Sequence, residues 1–374
     1  MRIVRLANFV GPRSGGLRTA LRELGAGYLA AGHEPVLVVP GDRDRDEQTS
    51  QGRVIMLRGP RVPLAGGYRV LLNERSVAQL LSELQPDALE VSDRTTLRWT
   101  GDWARRHGVP AVMVSHESLA ALIAMALPIP GLARALAGAL NRRTAGAYDQ
   151  VVCTTGWAAA EFERIGARNI RRAPLGVDLD TFRPRALPAA RASASPLLVH
   201  CGRLSAEKKP QRSLTTLATL RAQGVPARLI VAGDGPLRGR LERRAARHGL
   251  PVTFTGFLAG RDDVAELLAS ADVVIAPGPA ETFGLAALEA LACGTPVVVS
   301  AQSALPEVIG DAGASVAGED LATGVRELLR RPEAARRAAA RARAEMFGWD
   351  AAVQAFLAVH TTKGRRNDDV CRAR

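Results

Sequence analysis

The chain has 374 residues, a length that favours two domains rather than one. Its formal net charge of +13 predicts an anionic partner. Nucleic acid is disfavoured, because aromatic residues make up only 4% of the chain and no zinc-finger spacing or other nucleic-acid signature occurs. An anionic membrane surface fits the charge at least as well.

The four cysteines stand singly, and three follow or lie among apolar residues. This predicts reduced, packed thiols in a cytosolic chain, without a disulfide framework or a zinc site. The segment 3–7 is strand-like and lacks the longer apolar core of a signal peptide, and no stretch is apolar enough to span a bilayer. Any membrane contact is therefore expected to be peripheral, at the inner face of the cell membrane.

A strand, a glycine-containing loop and a helix open the chain. The segment 3–7 is followed by Gly15 and Gly16 and then by a helical pattern of apolar residues. This is the order of a dinucleotide-binding fold, although the G-x-G-x-x-G spacing is absent. The two glycines would let the backbone approach a phosphate closely, and an ordinary tight turn is the alternative.

Short apolar strands alternate with helical stretches through the rest of the first half, which predicts a parallel sheet. These strands are expected at 36–39, 54–57, 88–91, 111–114 and 150–153. The charged run 42–47 contains Asp42 and Asp44, which could pass for a metal-binding pair of carboxylates. A solvated loop is the stronger interpretation, because the run carries mixed charges and has no histidine beside it.

His116 directly follows a predicted strand, at the edge of a parallel sheet where open α/β proteins bind ligands. A structural histidine is the alternative. The next segment, 119–143, is rich in Ala and Leu, is broken by two prolines and ends in Arg142 and Arg143. Apolar bulk beside a basic end is typical of a surface that contacts lipid, and two packed core helices are the alternative.

A segment rich in Ala, Ser and Pro, 184–196, predicts a linker between a first domain at 1–183 and a second at 197–346. Strands expected at 197–200, 229–232, 252–255, 273–276 and 297–300 repeat the alternating pattern. Two stacked α/β domains with a cleft between them are therefore predicted. The remainder, 347–374, is expected to hold a helix that could cross back to the first domain, and a basic tail.

The basic loop after the strand at 197–200 contains Arg203 and Lys208. A forked donor and a point charge suit a diphosphate, whereas two ordinary surface cations are the alternative. Lys209 beside Lys208 leaves the choice of phosphate contact open by one position. Phe257 ends another predicted strand, where a nucleotide base could stack on its ring.

Two carboxylates, Glu281 and Glu289, flank a glycine turn that runs into an apolar helix. Gly284 is expected to open this helix, which puts Glu281 before the N-terminus and Glu289 within the helix. At ~1.5 Å rise per residue the carboxylates would lie about 10 Å apart, with the N–H groups of Gly284 and Leu285 between them. A diphosphate fits that gap, and sugar hydroxyls could bind the carboxylates. The alternative is a dipole effect for Glu281 and plain solvation for Glu289.

In this order and spacing the motifs resemble the retaining GT-B glycosyltransferases of family 4, and the likeness covers nearly the whole chain. Its carriers are the glycines at 15–16 and the segments 174–178, 202–208, 232–236, 281–289 and 293–296. The segments 8–19, 89–94 and 276–284 are similar to the actinobacterial phosphatidylinositol mannoside mannosyltransferases of the PimC type.

The resemblance implies an acceptor-binding first domain and a second domain that binds a nucleotide sugar. It implies transfer of mannose from GDP-mannose to a hydroxyl of a phosphatidylinositol mannoside, with retention of anomeric configuration. By matching motifs, Arg203 and Lys208 would neutralise the diphosphate. Glu289 would hold the ribose and Glu281 the donor hexose, while His116 would face the transferred sugar. The implied donor site also includes Gly15, Gly16, Phe257, Phe283, Gly284 and Leu285.

The implied mechanism needs no covalent nucleophile. The acceptor hydroxyl attacks on the face that the diphosphate leaves, a phosphate oxygen takes its proton, and electrostatic stabilisation of the leaving group is the main catalytic effect. No metal or other cofactor, no nucleic acid and no obligate protein partner are implied. The alternatives are another nucleotide sugar with a soluble acceptor, a GT-B nucleotide-sugar epimerase, and a module that binds anionic lipid or nucleic acid without catalysis.

Overall fold

A computed structural model describes residues 1–11, 15–62, 67–116, 118–126, 129–185 and 195–361. The chain divides into two compact units. The first contains Met1–Leu175 and the C-terminal helix that begins at Trp349, and the second is Gly176–Gly348. Each unit is built on its own mainly parallel sheet, as the alternation of strands and helices predicts.

The first unit contains a sheet of eight strands. They are β1 Arg2–Leu6, β2 Glu34–Gly41, β3 Arg45–Thr49, β4 Gly52–Arg58, β5 Ala88–Val91, β6 Ala111–Ser115, β7 Gln150–Cys153 and β8 Ile170–Arg172. Their order is β3-β4-β2-β1-β5-β6-β7-β8, and only the β3–β4 pair is antiparallel. The strand order therefore reverses between β1 and β5, which makes their carboxyl ends the expected ligand-binding edge.

The charged run 42–47, predicted as a solvated loop, supplies much of β3. Its side chains are exposed, and the strand is held by its pairing with β4 and by an ion pair of 2.6 Å between Arg53 and Asp46. An edge strand with no buried face carries no apolar alternation, so the hydrophobic pattern could not reveal it. The short strand β8 was missed as well, because only Ile170 in it is apolar.

Up to Leu175, the described residues of the first unit form six helices: α1 Gly16–Ala30, α2 Glu74–Leu84, α3 Trp99–Arg106, α4 Leu119–Ala126, α5 Pro130–Ala147 and α6 Gly156–Glu163. Helix α3 begins only at Trp99, several residues after β5 ends at Val91. The reason is a side-chain turn, in which Asp93 accepts the backbone N–H of Thr95 at 2.7 Å and the hydroxyls of Thr95 and Thr96. This turn competes with helical hydrogen bonding.

The second unit contains six strands, all parallel: β9 Leu197–Cys201, β10 Arg228–Ala232, β11 Val252–Gly256, β12 Val273–Ala276, β13 Val297–Ser300 and β14 Ala314–Val316. Their order is β11-β10-β9-β12-β13-β14. The helices are α7 Gln211–Ala222, α8 Arg238–Arg247, α9 Arg261–Ser270, α10 Leu285–Ala292, α11 Leu305–Ile309, α12 Ala322–Arg330 and α13 Glu333–Glu345. The order reverses between β9 and β12, as in a dinucleotide-binding fold.

The first unit ends at Leu175, before the predicted domain boundary at 183. Residues beyond it pack within the second unit. The backbone N–H of Val177 donates to the carbonyl of Phe347 at 2.8 Å, and Asp178 forms an ion pair of 3.2 Å with Arg261. Such contacts cannot be read from composition. The domain boundary predicted from composition therefore falls later in the chain than the boundary in the structure. Of the predicted linker 184–196, residues 186–194 lie outside the described residues.

The C-terminal helix α14, Trp349–Thr361, packs against α1 in the first unit. A buried ionic cluster supports it: Arg5 Nε donates to Glu90 Oε1 at 2.9 Å, and the Tyr28 hydroxyl donates to Glu90 Oε2 at 2.8 Å. His360 Nε2 lies 3.3 Å from the same oxygen. Burial alone would raise the pKa of Glu90, but Arg5 and the hydrogen bonds outweigh it and hold that pKa well below its usual range.

Candidate active site

The carboxyl ends of β9 and β12 are neighbours in the sheet of the second unit, and the chain leaves the two strands in opposite directions. Open α/β sheets bind ligands at such a reversal. The loop after β9 carries Arg203 and Lys208, and the loop after β12 carries Glu281 and Gly284. The topology therefore brings four of the residues predicted from the sequence to one edge.

Lys208 Nζ donates a hydrogen bond to Glu281 Oε1 across this reversal. Lys208 ends a short 3₁₀ helix, Ala206–Lys208, and Lys209 turns away in a left-handed conformation with φ of +47°. The side chains of Lys208 and Glu281 are 35% and 20% exposed, so both charges remain within reach of a ligand. Of the two lysines, Lys208 is therefore the one that faces the Glu281 carboxylate.

Gly284 precedes the first turn of α10 in a left-handed conformation with φ of +78°. A Cβ atom there would lie 2.2 Å from Leu305 Cδ2, so both the backbone angle and the space require glycine. The first backbone N–H groups of a helix have no hydrogen-bond partner within that helix. In α10, which begins at Leu285, these groups follow Glu281 by only a few residues in the sequence. The carbonyl of Glu281 accepts the N–H of Ala304 at 3.0 Å, which holds this loop in place.

Phe283 and Leu285 are buried on either side of Gly284. The Phe283 ring packs edge to face against Phe347, with 6.0 Å between the ring centroids. These side chains anchor the turn in the core of the second unit. Any contact that the two residues make with a donor must therefore come from their backbone.

Glu289 lies within α10, as predicted, and its carboxylate is half-buried. Burial raises the pKa of the Cys201 thiol to about 12, and the charge of Glu289 contributes to the rise. The same two causes raise the pKa of Cys293 to about 12. Glu289 therefore lies close to the end of β9, the strand that leads into the loop of Arg203.

The loops after β9 and β10 are locked together through glycines. The N–H of Gly202 donates to the carbonyl of Ala232 at 2.9 Å, and the N–H of Gly233 donates to that of Gly256 at 2.8 Å. A Cβ atom on Gly233 would lie 1.9 Å from the carbonyl oxygen of Gly202. From the sequence, the segment 232–236 stood out for its family resemblance, which did not predict that it sets the position of the Arg203 loop.

Phe257 directly follows β11, and its side chain is 49% exposed. An aromatic ring of this size is usually buried. Its place at the carboxyl edge of the sheet is compatible with the predicted stacking on a base, which stays a prediction.

At the carboxyl edge of the first unit, His116 follows β6, and its Nε2 lies 3.1 Å from Ser92 Oγ. The residue as a whole is half-buried. Burial nevertheless lowers the pKa of His116 to about 4, with smaller effects from Glu90, which raises it, and from Arg5 and Arg94, which lower it. The imidazole is therefore neutral near pH 7, and it can donate or accept a hydrogen bond.

Asn8 was missed as a site residue from the sequence, although it is fully buried two residues after β1. Its Nδ2 donates to Asp93 Oδ2 at 2.9 Å and to Thr96 Oγ1 at 2.7 Å, while its Oδ1 accepts the N–H of Leu71 at 2.8 Å. It thus ties three loops together at the strand reversal. The available signal was a polar residue directly after an apolar strand.

The predicted Gly15 and Gly16 are exposed at the start of α1.

Helix α5 presents large apolar residues to solvent and small ones to the protein. Leu132 and Leu136 are 45% and 40% exposed, and Ile129 before the helix is 57% exposed, whereas Ala133 and Ala137 are buried. Arg142 and Arg143 are exposed farther along the same helix. A helix that only packs into the core would show the opposite arrangement.

Among the described residues, no three His, Cys, Asp or Glu side chains converge in a way that could hold a metal ion. Asp42 and Asp44 are both exposed, and Asp44 accepts the backbone N–H of Arg58 at 2.6 Å.

Cys153, Cys201 and Cys293 are free thiols, and Cys371 lies outside the described ranges. None of the helices in these ranges is long and apolar enough to cross a bilayer.

The two α/β units with mainly parallel sheets agree with the predicted fold class, which the comparisons with known proteins confirm as that of a GT-B glycosyltransferase. Profiles described as Glycosyl transferases group 1 and Glycosyltransferase Family 4 match residues 188–345 and 14–181. The GDP-mannose-dependent alpha-(1-6)-phosphatidylinositol dimannoside mannosyltransferase of Mycobacterium tuberculosis is 54% identical over 367 residues, covering 96% of this chain and 95% of that protein. The chain belongs to family 4 of the glycosyltransferases.

Solved structures share the fold at low sequence identity. Sucrose-phosphate synthase from Thermosynechococcus elongatus aligns with a TM-score of 0.78 at 23% identity, covering 96% of this chain and 98% of that one. HepE from Anabaena, in complex with UDP and glucose, aligns with a TM-score of 0.72 at 18% identity, covering 95% and 98%. At these identities the likeness shows the GT-B fold alone.

Proposed function

We propose that this chain transfers mannose from GDP-mannose to a hydroxyl of a phosphatidylinositol dimannoside, forming an α-(1-6) linkage with retention of configuration. The observation that carries the proposal is the 54% identity to the mycobacterial mannosyltransferase, which extends over 96% of this chain. Identity that covers both halves of a two-domain enzyme includes the donor side and the acceptor side together.

The second unit binds the donor in this proposal. Arg203 and Lys208 neutralise the diphosphate of GDP-mannose, and the first N–H groups of α10, those of Gly284 and Leu285, bind its oxygens. The pairing of Lys208 with Glu281 supports this assignment, because it joins the two loops at the strand reversal. Glu281 binds hydroxyls of the mannose, Glu289 those of the ribose, and Phe257 stacks on the base.

The chemical step needs little from the protein beyond charge and position. The acceptor oxygen forms a bond to C1 of mannose on the face that the diphosphate leaves. The bond from C1 to the phosphate oxygen breaks, and the acceptor proton passes to that phosphate group, which departs with GDP. Arg203 and Lys208 stabilise the charge that develops on the leaving group. Neither residue has to gain or lose a proton.

The first unit binds the acceptor and also contributes contacts to the donor. The neutral imidazole of His116, held against Ser92, donates a hydrogen bond to a hydroxyl of the transferred sugar, and its lowered pKa keeps the ring uncharged at physiological pH. The backbone of Gly15 and Gly16 approaches phosphate or sugar closely, which their lack of side chains permits.

The α4–α5 pair contacts the membrane that carries the acceptor. The exposed Leu132 and Leu136 and the basic end at Arg142 and Arg143 support this assignment, because apolar side chains beside cations suit an anionic lipid surface. The enzyme accordingly works in the cytoplasm, peripherally bound to the inner face of the cell membrane. Its phosphate contacts are cations and backbone amides, so it requires no metal.

The test is to incubate the protein with GDP-mannose and vesicles that contain phosphatidylinositol dimannoside, and to analyse the lipid extract by mass spectrometry. We expect a trimannoside, with the new linkage assigned by fragmentation and NMR. Parallel reactions with UDP-glucose and UDP-N-acetylglucosamine test the donor. Release of free nucleotide without a new lipid would instead indicate an epimerase or a hydrolase, and transfer only to soluble sugars would overturn the lipid acceptor.

A further inference from the structure

We propose that the buried ion pair of Arg94 and Glu161 positions His116 for the transfer reaction. The inference rests on the proposed function, since it assigns His116 a role toward the sugar. Neither Arg94 nor Glu161 would touch a substrate. Both are positioning residues, which act through the two serines on either side of His116.

Arg94 holds the residue before His116. Its Nη2 donates to Ser115 Oγ at 2.5 Å, and Ser115 is the last residue of β6. Its Nη1 donates to Asn141 Oδ1 at 3.1 Å and lies 3.8 Å from Glu161 Oε2. The guanidinium also lies over the Phe162 ring, 5.4 Å from its centroid, which fixes the plane of the fork.

Glu161 holds the residues after His116. Its Oε1 accepts the hydroxyl of Ser118, and its Oε2 accepts the N–H of Leu119 and the Nδ2 of Asn141, both at 3.3 Å. Ser118 in turn caps α4, because its Oγ accepts the N–H of Ala121 at 3.1 Å. The carboxylate therefore sets where α4 begins.

The end of β6 and the start of α4 are thus held by opposite members of one ion pair. Because the chain between Ser115 and Ser118 contains His116, the backbone that carries the imidazole is fixed on both sides, and Ser92 fixes the ring itself. Arg94 and Glu161 are only 7% and 6% exposed. Burying both charges carries a desolvation cost that stability alone does not explain, since well-packed apolar residues often stabilise a core as much.

The test compares Glu161→Gln with the double variant R94M/E161L, measuring melting temperature, affinity for GDP-mannose and the rate of mannosyl transfer. We expect the double variant to melt nearer to the wild type than Glu161→Gln does, because no unpaired charge is left buried. Its transfer should nevertheless stay roughly tenfold to a hundredfold slower, since small displacements of a catalytic group have effects of this size. Recovery of transfer together with melting temperature would overturn the proposal.

Ser118→Ala provides a second test should the double variant not fold, because it removes one hydroxyl and leaves Glu161 its other donors. It should slow transfer and leave the affinity for GDP, which lacks the mannose that His116 contacts, unchanged, whereas wild-type transfer would contradict the proposal. Asp149→Asn is the matched control: this carboxylate accepts the N–H of Ala111 at 2.9 Å, at the opposite end of β6. Even if Asp149→Asn lowers the melting temperature, the folded variant should transfer mannose at the wild-type rate.

We call the Arg94–Glu161 ion pair, together with Ser115 and Ser118, the clamp. The imidazole signals of His116 in NMR spectra, assigned with a His116→Gln variant, report whether the clamp holds the ring and do not require the enzyme to turn over. They should shift or broaden in Ser118→Ala and stay unchanged in Asp149→Asn. Unchanged signals in Ser118→Ala would contradict the clamp. If the wild-type protein transfers no mannose at all, the proposed function fails, while this spectroscopic comparison still tests whether the ion pair holds the ring.

Discussion

Lys208 donates a hydrogen bond to Glu281 from the opposite side of the strand reversal in the second unit. The two residues belong to loops that are 73 positions apart in the sequence. Their side chains keep enough solvent contact that the ion pair is worth at most ~1 kcal/mol of folding free energy. A pair that stabilises the fold so little, at the edge where such sheets bind ligands, is better explained by a role in the site.

Lys208→Ala and Glu281→Ala should each reduce turnover about a hundredfold or more, because loss of one charge-assisted contact to a transition state costs ~2 to 4 kcal/mol. Melting temperatures should stay close to that of the wild type. Glu242→Ala is the matched control, since it breaks an ion pair of similar exposure with Arg238 in the same unit. Initial rates and thermal melting of each variant would test this. If a variant is as stable as the wild type and keeps most of its activity, the residue that was replaced is not catalytic.

The sequence predicted both members of this pair but not their contact, and the reason is physical. Motif spacing identifies loops after strands, and the parallel alternation brings those loops to one edge, so Arg203, Lys208 and Glu281 could be found. Which lysine faces the carboxylate depends on the left-handed turn at Lys209, a backbone detail that sequence leaves open.

Networks of buried polar residues were missed for a different reason. Arg5 and Glu90 lie within predicted apolar strands, whereas Arg94 and Glu161 stand outside them, and only packing shows that all four charges are enclosed with their partners. Apolar periodicity reports where a chain is buried on average. It does not report which charges are taken inside with their partners, so the clamp around His116 could not be predicted.

Gly233→Ala should abolish donor binding, whereas Gly249→Ala should leave it intact. Both glycines have positive φ, +138° and +56°, so both substitutions strain the backbone. Only at Gly233 would the added Cβ collide with the loop that carries Arg203, while at Gly249 nothing lies within 4 Å. Titrating both variants with GDP-mannose and comparing their affinities distinguishes the effect of backbone strain, which both share, from that of the collision, which only Gly233→Ala introduces. Equal affinities in the two variants would show that the contact between the loops does not shape the site.

His200 should make the fold less stable in mild acid. It is buried with Nδ1 3.0 Å from Ser213 Oγ, and burial lowers its pKa from 6.5 to about 4. The unfolded chain therefore takes up a proton as the pH falls below 6.5, while the folded chain does so only near pH 4. Stability is fully present above the unfolded value and is lost as pH falls, by about 2 kcal/mol at roughly pH 5.

Urea unfolding of His200→Asn at several pH values would measure this contribution. The difference in unfolding free energy between pH 7 and about pH 5 should shrink by ~2 kcal/mol relative to the wild type. His248→Asn is the control for replacing a histidine by asparagine, because His248 is exposed at the end of α8. Identical pH curves for the wild type and both variants would argue against a buried neutral His200.

Activity should survive excess chelator, because the charges offered to the diphosphate are those of Arg203 and Lys208 and the amides of α10. Transfer rates measured after dialysis against EDTA should equal those before it. Loss of activity that magnesium or manganese restores would contradict this and would direct attention to Asp42 and Asp44. A Lys208→Ala variant that becomes active only with added metal would be consistent with the prediction, since the metal would then replace the missing charge.

The exposed leucines and the basic end of α5 predict binding to anionic membranes. Vesicles containing phosphatidylinositol should bind the protein, and neutral vesicles should bind it much less, because each basic residue near the surface contributes ~1 kcal/mol. Added salt should weaken the charge-dependent part. Cosedimentation across a salt series measures both effects. Equal binding to neutral and anionic vesicles would leave the membrane assignment unsupported and would favour a soluble acceptor.

Two double variants divide this interaction into its parts. R142E/R143E should weaken binding most at low salt, whereas L132S/L136S should weaken it at every salt concentration, since burial of apolar surface is not screened. Both should slow transfer to vesicular acceptor and leave GDP-mannose affinity nearly unchanged, because most of the proposed donor residues lie in the other unit and neither pair of substitutions touches the rest. Leu72→Ser is the control: this leucine is 54% exposed but lies outside α4 and α5, so its loss should not alter vesicle binding. If L132S/L136S binds vesicles as the wild type does, α5 does not insert its leucines into lipid, and the basic end alone accounts for the attraction.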